Sequence, residues 1–503
     1  MKPQLKVGLE IHTQLQTLSK LFASSPNPTS NLNLPANTTT AFFDVSLPGT
    51  QPRLNPECVL NSLKLACSLN CNIPPVSSFD RKHYFYGDQP LGYQITQHYQ
   101  PIARNGSITL LQKHHLKIKR DLTVRIQQLQ LEQDTGRSIY HAVDSDISNI
   151  DFNRANIPLV EMVTLPDFQD VEEVRAFLQT YIKLVQDLQV CTGDLETGAL
   201  RVDVNINVTG HERVEIKNLP TISAIVNAIR YEAKRQTKAV LDAGATAVAA
   251  GIETRGWDGR RTYHLRNKES AVDYRYVPDM ELPKVKLDVD SLVPQIQALL
   301  PQPISERLDI LMSSPKDGGH SLTLRDARIL VNNDALLQFY TECWNNISDD
   351  KVRLKLINWL VHELLGTLTK SEVEFSPSLI SSDCFTDLIV SVESGGVTKP
   401  NGKLLLLHLV NNREDQQKKV LEIAKEFGML ASKTADAQVS SDVENVVNEI
   451  IAANTKVVDE IQNKGKVKKV NFLIGLCMRQ TGGNVQPQVF EEKIKQVLGL
   501  NEH

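Results

Sequence analysis

The sequence predicts an α+β protein in which a largely antiparallel sheet with packed helices is followed by all-helical units. Two observations carry this. From the N-terminus to about Pro283, short runs of alternating polarity are broken by turns and by two strong helical segments, unlike the regular strand–helix rhythm of a parallel sheet. After Leu282-Pro283, with Pro301 and Pro303 as punctuation, helical periodicity takes over almost to the end. At roughly 150 residues per domain the length allows three or four domains, and the expected division is 1–293, 294–431 and 432–503.

The first strand is Val7-Gly8-Leu9-Glu10-Ile11-His12, where alternation puts Val7, Leu9 and Ile11 on one face and Glu10 and His12 on the other. Lys82-His83-Tyr84-Phe85-Tyr86-Gly87-Asp88, continued by Gly92 to Gln97, packs three tyrosines, a lysine and an aspartate around turn glycines. Such a segment is either a packed aromatic corner or a cleft that stacks a base. In Gln128 to Asp134, Leu129 and Leu131 oppose Gln128, Gln130, Glu132 and Asp134. A capping-box-like start at Asp170 opens a helix with Val171, Val174, Leu178, Ile182, Val185 and Leu188 on one stripe. Leu200 to Val208 turns Arg201, Asp203, Asn205 and Asn207 away from five apolar residues, and in Arg213 to Lys217 the polar set is Arg213, Glu215 and Lys217. A second helix runs from about Ile222 to Leu241.

Helices are expected over Asp334 to Trp344 and Val352 to Leu368, and the tract from Ser432 to Asp442 reads as a linker or helix cap before a last small bundle. In that bundle Lys464, Lys466, Lys468 and Lys469 form the compact basic cluster of the chain, either a solvated helix end or a grip for a phosphate backbone.

The polar strand faces are the most informative feature. A wet outer face is one explanation, but Asp and Asn are depleted in strands. Carboxylate and amide oxygens with one imidazole suit a hard cation such as Mg²⁺, which serves phosphoryl transfer. With 55 Lys+Arg against 59 Asp+Glu the net charge is -4, which excludes a broadly basic nucleic-acid coat. The seven scattered cysteines include no CxxC, so a disulfide framework is not expected; Cys67 and Cys71, four apart, are read as small buried residues on one helix face. No apolar run approaches the roughly 20 residues that span a bilayer. GxxxxGK[ST], GxGxxG, GxSxG and HExxH are all absent, as is any arrangement that reads as a glutaminase nucleophile.

The strings GLEIH (8–12), FDRKHYFYGDQPLGYQITQ (79–97), LEQDTGR (131–137), DFNRANIPLVEMV (151–163), LETGALRVDVNI (195–206), VEIKNL (214–219) and AVDYRYVPDMELP (271–283) resemble the GatB family of glutamyl-tRNA(Gln) amidotransferases. SLPGTQPRLN (46–55), ETRGWDG (253–259), NWLVHELLG (358–366), NGK (401–403) and NFLIGLCMRQTGGNVQP (471–487) extend the likeness over essentially the whole chain. The resemblance implies a cradle-shaped first domain, a helical domain and a small YqeY-like tail associated with the outer part of tRNA. It implies a ligase that converts Glu-tRNA(Gln) to Gln-tRNA(Gln): ATP phosphorylates the glutamyl carboxylate, and ammonia channelled from an amidase-type glutaminase subunit displaces the phosphate. A small third subunit would complete the assembly.

Carried over by motif, Glu10, His12, Glu132 and Asp203 are the expected Mg²⁺ and catalytic residues, with Lys82 and Tyr84 beside the reacting end. Asp88, Glu196, Arg201, Asn205, Glu215 and Lys217 are expected to contact substrate, and Lys464, Lys466, Lys468 and Lys469 the tRNA. Ala41-Phe42-Phe43-Asp44-Val45-Ser46-Leu47-Pro48-Gly49 stands where bacterial relatives carry zinc-binding cysteines, so no structural zinc is expected. The divergence points to an organellar member in the mitochondrial matrix, its presequence absent or removed, with the bacterial cytoplasm as the alternative. A non-catalytic tRNA-binding scaffold in the same assembly is the other functional reading.

Overall fold

In the computed structural model, alternation becomes a sheet with one dry face. Along strand Leu5–Gln14, Val7, Leu9 and Ile11 are fully buried, while Glu10 and His12 stay partly open. The structure describes residues 3–28, 34–140, 147–243, 252–268, 274–431, 437–462, 469–483 and 485–499. The chain divides into two units, Met1–Ser305 and Glu306–His503.

The first unit is built on eight strands in the spatial order Thr262–Lys268, Ile252–Trp257, Val214–Ile216, Leu200–Val208, Leu5–Gln14, Pro158–Thr164, Leu122–Gln133 and Ala103–Leu110. Neighbours are antiparallel except Val214–Ile216 with Ile252–Trp257, which run parallel. Val7, Leu9, Leu129, Leu131, Met162, Val204 and Ile206 share one core with side chains from helices Pro56–Ser68, Val171–Asp187 and Ile222–Ala243. Full burial of each such side chain stabilises by roughly 1.5–3 kcal/mol. Helix Val171–Asp187 starts at the predicted capping box, with Asp170 and Glu173 exchanging side-chain and backbone bonds.

A three-stranded sheet of Val277–Pro278, Asp80–His83 and Tyr93–Thr96 is tied to the end of strand Leu122–Gln133. Gln94 Nε2 donates to the Gln133 carbonyl at 2.7 Å, and Gln97 Oε1 accepts from the Leu131 amide at 3.0 Å. These bonds bring Lys82 and Thr96 to the polar face of the large sheet.

The tract Ala41 to Gly49 is organised by Asp44. Its carboxylate accepts from Lys20 Nζ at 3.1 Å, Ser25 Oγ at 2.5 Å, the Ala41 amide at 2.8 Å and Asn156 Nδ2 at 2.8 Å. Both Lys20 and Asp44 side chains are 0% exposed, so this is a buried ion pair cross-linking the tract to the turn at Asn156. Burial lowers the Lys20 pKa, with the Asp44 charge opposing it.

Two expectations need correction. Cys71 does not share a helix with Cys67, because the helix ends at Ser68 and Asn70 turns the chain with a positive φ of 52°. The helix expected over Val352 to Leu368 is continuous only to Asn358; Trp359–Leu364 forms a wider π turn before Leu365–Lys370.

In the second unit Gly402 explains its own identity: a Cβ there would lie 2.6 Å from Val392 Cγ2 and 3.0 Å from Trp359 Cη2. Val443, Val447, Leu473, Ile474, Cys477, Phe490 and Ile494 form a separate small core among the last helices. Helix Ala437–Ala453 begins inside the tract expected as linker or cap, of which 432–436 fall outside the described residues. Lys464, Lys466 and Lys468 also lie outside them, and Lys469 precedes helix Val470–Gln480. Among the described residues no helix is long and apolar enough to cross a membrane.

Candidate active site

Strand register assembles the site. On strand Leu5–Gln14, Glu10 lies opposite Asp203, and His12 lies opposite Arg201 on one side and Glu161 on the other. Gln130 lies opposite Glu161, and Asn205 opposite Glu215. Directly opposed side chains on one face are close neighbours, so five strands contribute to one polar surface. It is not a simple wet face: Glu132, Asp134 and Glu215 are buried.

The polar residues separate into two groups. In the first, the potential ligand atoms of His12, Glu132 and Glu161 all lie within 4.8 Å of one another. His12 Nε2 is 3.1 Å from Glu132 Oε1, and Thr96 Oγ1 donates to Glu132 Oε2 at 3.2 Å. Gln130 Nε2 donates to Glu161 Oε2. Burial alone would lower the His12 pKa, but the Glu132 hydrogen bond and the Glu161 and Glu132 charges raise it to about 9. Burial, with the Glu132 charge beside it, pushes Glu161 up to about 7. Glu132 goes the other way: burial opposes ionisation, but the bond and charge of His12 hold its carboxyl below the usual range.

In the second group, Glu10, Asp203 and Glu215 again bring ligand atoms within 4.8 Å. Lys217 Nζ bridges Asp203 at 2.5 Å and Glu215 at 3.1 Å, Asn205 Nδ2 donates to Glu10 at 2.8 Å, and Thr254 Oγ1 donates to Glu215 at 3.1 Å. Burial works against the Lys217 charge, yet Asp203 and Glu215 raise its pKa. One ammonium thus bridges two of the three carboxylates.

Lys82 stands at the margin of the first group. Burial disfavours its charge, but Glu132, Tyr276, Glu161 and Tyr274 together raise its pKa. Tyr84 is pushed up by burial and by the charges of Glu132, Asp134 and Asp88, so its phenol keeps its proton. Arg201 reaches Asp134 at 2.9 Å, leaving its buried Nε without a partner among the described residues. Asp88 accepts from Ser138 Oγ at 3.1 Å and so ties its turn to the neighbouring hairpin. Glu196 is exposed on the turn before Leu200 and belongs to neither group.

Register therefore gathers most of the expected residues around two centres rather than one. It also adds Glu161, which sequence reasoning missed. The signal was present: in Pro158-Leu159-Val160-Glu161-Met162-Val163, a single carboxylate interrupts an otherwise apolar strand.

The donor set fits a divalent cation. Two carboxylates and an imidazole in the first group, and three carboxylates in the second, supply hard oxygen donors with a single nitrogen, as Mg²⁺ or Mn²⁺ accepts. Gln130 and Thr96, bonded to Glu161 and Glu132, hold the carboxylates in place as outer partners.

Residues 5–292 match the family described as GatB/GatE catalytic domain, and residues 338–498 the GatB domain. The chain is 44% identical over 502 residues to the mitochondrial GatB protein of the glutamyl-tRNA(Gln) amidotransferase of Komagataella phaffii, covering 99% of this chain and 100% of that protein. It is 42% identical to the proteins of the same name from Vanderwaltozyma polyspora, with 98% and 95% covered, and Candida albicans, with 98% and 96% covered. Their names bear out the mitochondrial assignment made from the sequence. With its fold, paired acidic groups and full-length likeness, the chain belongs to the GatB family of glutamyl-tRNA(Gln) amidotransferases, in its mitochondrial type.

Proposed function

We propose that the chain is the transamidating subunit of a mitochondrial matrix amidotransferase, converting Glu-tRNA(Gln) to Gln-tRNA(Gln) with ATP and ammonia. The observation that carries this reading is the pair of acidic groups on one sheet face, His12–Glu132–Glu161 and Glu10–Asp203–Glu215, with Lys82 and Lys217 beside them.

A carboxylate is a poor electrophile, so its oxygen first takes the γ-phosphoryl group and ADP leaves. Ammonia then attacks the carbonyl carbon of the acyl phosphate, inorganic phosphate departs, and the excess proton passes to solvent. Mg²⁺ held by the acidic groups would offset charge on the transferring phosphoryl group. Lys82, fixed above the Tyr274 ring at 4.7 Å, holds a positive charge beside the same space. Lys217, clamped by Asp203 and Glu215, keeps the second group from carrying three uncompensated charges. The neutral Tyr84 phenol can donate a hydrogen bond to a carboxylate or phosphate oxygen. Because the acyl phosphate hydrolyses, exclusion of water matters, and the small sheet that buries Glu132 contributes to it.

Ammonia would come from an amidase-type glutaminase subunit with glutamine as donor, and a small third subunit would complete a heterotrimer. The tail, with the lysines from Lys464 to Lys469, would touch the outer tRNA. Glu10→Ala and His12→Ala test the assignment: each should abolish amidation while tRNA binding persists. Retained amidation in both would refute the site, and tight tRNA binding without amidation by the wild type would favour the scaffold reading.

A further inference from the structure

Both carboxylate oxygens of Glu215 are held, and one of the two partners sits on a strand outside those that carry the second acidic group. Lys217 Nζ meets Oε1 at 3.1 Å, and Thr254 Oγ1 donates to Oε2 at 3.1 Å. Thr254 stands directly opposite Glu215 on the parallel strand Ile252–Trp257 and is buried, so its hydroxyl turns to the carboxylate and not to water.

Glu232, buried on helix Ile222–Ala243, anchors that strand from the opposite side of the sheet. Its carboxylate accepts from Arg235 Nη2 at 2.7 Å, Gln236 Nε2 at 2.9 Å and Thr262 Oγ1 at 2.7 Å, and Arg255 Nε lies 3.6 Å away. Burial works against its charge, but the bonds from Arg235 and Gln236 hold its pKa below the ordinary value. Arg255 is gripped in turn: Nη2 donates to the Thr262 carbonyl at 3.0 Å, Nη1 to Glu253 at 2.9 Å, and the Arg255 carbonyl accepts from the Lys217 amide at 2.9 Å. With Arg255 fixed toward the helix, alternation turns Thr254 to the face that carries Glu215. The ladder to strand Thr262–Lys268 slips between these two residues, a local irregularity of the kind that re-aims side chains beside active sites.

We infer that Thr254 is a positioning residue for the second acidic group, its hydroxyl holding Glu215 Oε2 so that the carboxylate stays beside Glu10 and Asp203. This rests on the reading of that group as a divalent-cation site. A carboxylate free to rotate must be ordered when the ion arrives, at a cost in side-chain entropy, whereas one bonded in advance through both oxygens is already arranged. Thr254 acts on the ion only through Glu215. The first group is built alike: buried Thr96 donates to Glu132 Oε2 at 3.2 Å from a strand of the small sheet. In each group a threonine hydroxyl from a strand without acidic ligands fixes one buried glutamate.

The test titrates the full-length chain with Mn²⁺, reading free ion by electron paramagnetic resonance, for the wild type, Thr254→Val and Thr254→Ser. Valine keeps the branched shape and loses the donor; serine keeps the donor and loses a methyl. Thr254→Val should weaken binding of one ion by about tenfold or more, the range for removing an outer partner of a metal ligand. Thr254→Ser should stay within about threefold of the wild type, because its hydroxyl still reaches Glu215. A role in packing alone predicts the reverse order, with serine the worse of the two. Equal losses in both variants, that reverse order, or wild-type affinity in folded Thr254→Val overturns the positioning role and leaves the cation site standing. Absence of Mn²⁺ binding by the wild type removes the cation reading, and this inference with it.

Discussion

His12 Nε2 and Glu132 Oε1 meet at 3.1 Å across the strand that carries Glu161, so the three side chains converge from three neighbouring strands. Without a metal, a proton does the work of a cation: His12 holds it to about pH 9 and Glu161 competes for one near pH 7. A metal ion at this group must displace those protons.

Metal binding should therefore strengthen with pH. Below about 9 His12 must lose a proton, so the apparent affinity for Mn²⁺ should fall by about tenfold per pH unit, and more steeply below about 7, where Glu161 also binds one. Calorimetry in buffers of different ionisation enthalpy near pH 7.5 should show release of about one proton per ion. A pH-independent affinity would contradict the assignment.

Thermal stability of the metal-free chain should move in the opposite sense. His12 is raised above its ordinary 6.5, so its contribution is complete below that value and fades as pH rises through about 9. Glu161 is raised as well, from 4.5 to about 7, and its ionisation removes stability over that window. Melting curves in chelator should fall from pH 6 toward pH 9, and added Mg²⁺ should raise Tm most at the alkaline end.

Glu161→Gln removes one ligand charge while keeping an oxygen for the Gln130 amide, so the fold should persist. Amidation should drop by at least about 100-fold, beyond what loss of an outer partner costs. Glu196→Ala, on an exposed turn outside both groups, should leave the rate within about twofold of wild type. Steady-state amidation of the two variants side by side checks both statements.

Lys20→Met should destabilise the first unit by about 3–5 kcal/mol, because it strands the fully buried Asp44 carboxylate. Denaturant unfolding measures this. A loss below about 1 kcal/mol would mean that Ser25, Asn156 and the Ala41 amide suffice to hold the charge.

The sequence made the sheet legible where side chains alternate. Leu5–Gln14 and Leu200–Val208 bury every second residue, so both their spans and their polar faces were readable. Glu161 escaped because its strand is flanked on both sides and buried almost throughout, which erases alternation. The split into two groups was likewise hidden, since it depends on which strands are neighbours: Glu132 and His12 are 120 positions apart in the chain and a single strand apart in the sheet. The turn at Trp359–Leu364 leaves the apolar stripe intact and widens only the backbone, so periodicity could not reveal it. Lys20 and Asp44 look like surface charges in sequence; only the fold shows that they pair in the interior.

The most direct measurement is conversion of Glu-tRNA(Gln) to Gln-tRNA(Gln) by the purified chain with ATP, Mg²⁺ and ammonium in place of glutamine, repeated with the amidase-type partner to guard against an unstable isolated subunit. The account predicts ATP-dependent conversion that Glu10→Ala and Glu161→Gln abolish. Tight tRNA binding with no conversion in either form would contradict it, and would leave the two acidic groups as structure without chemistry.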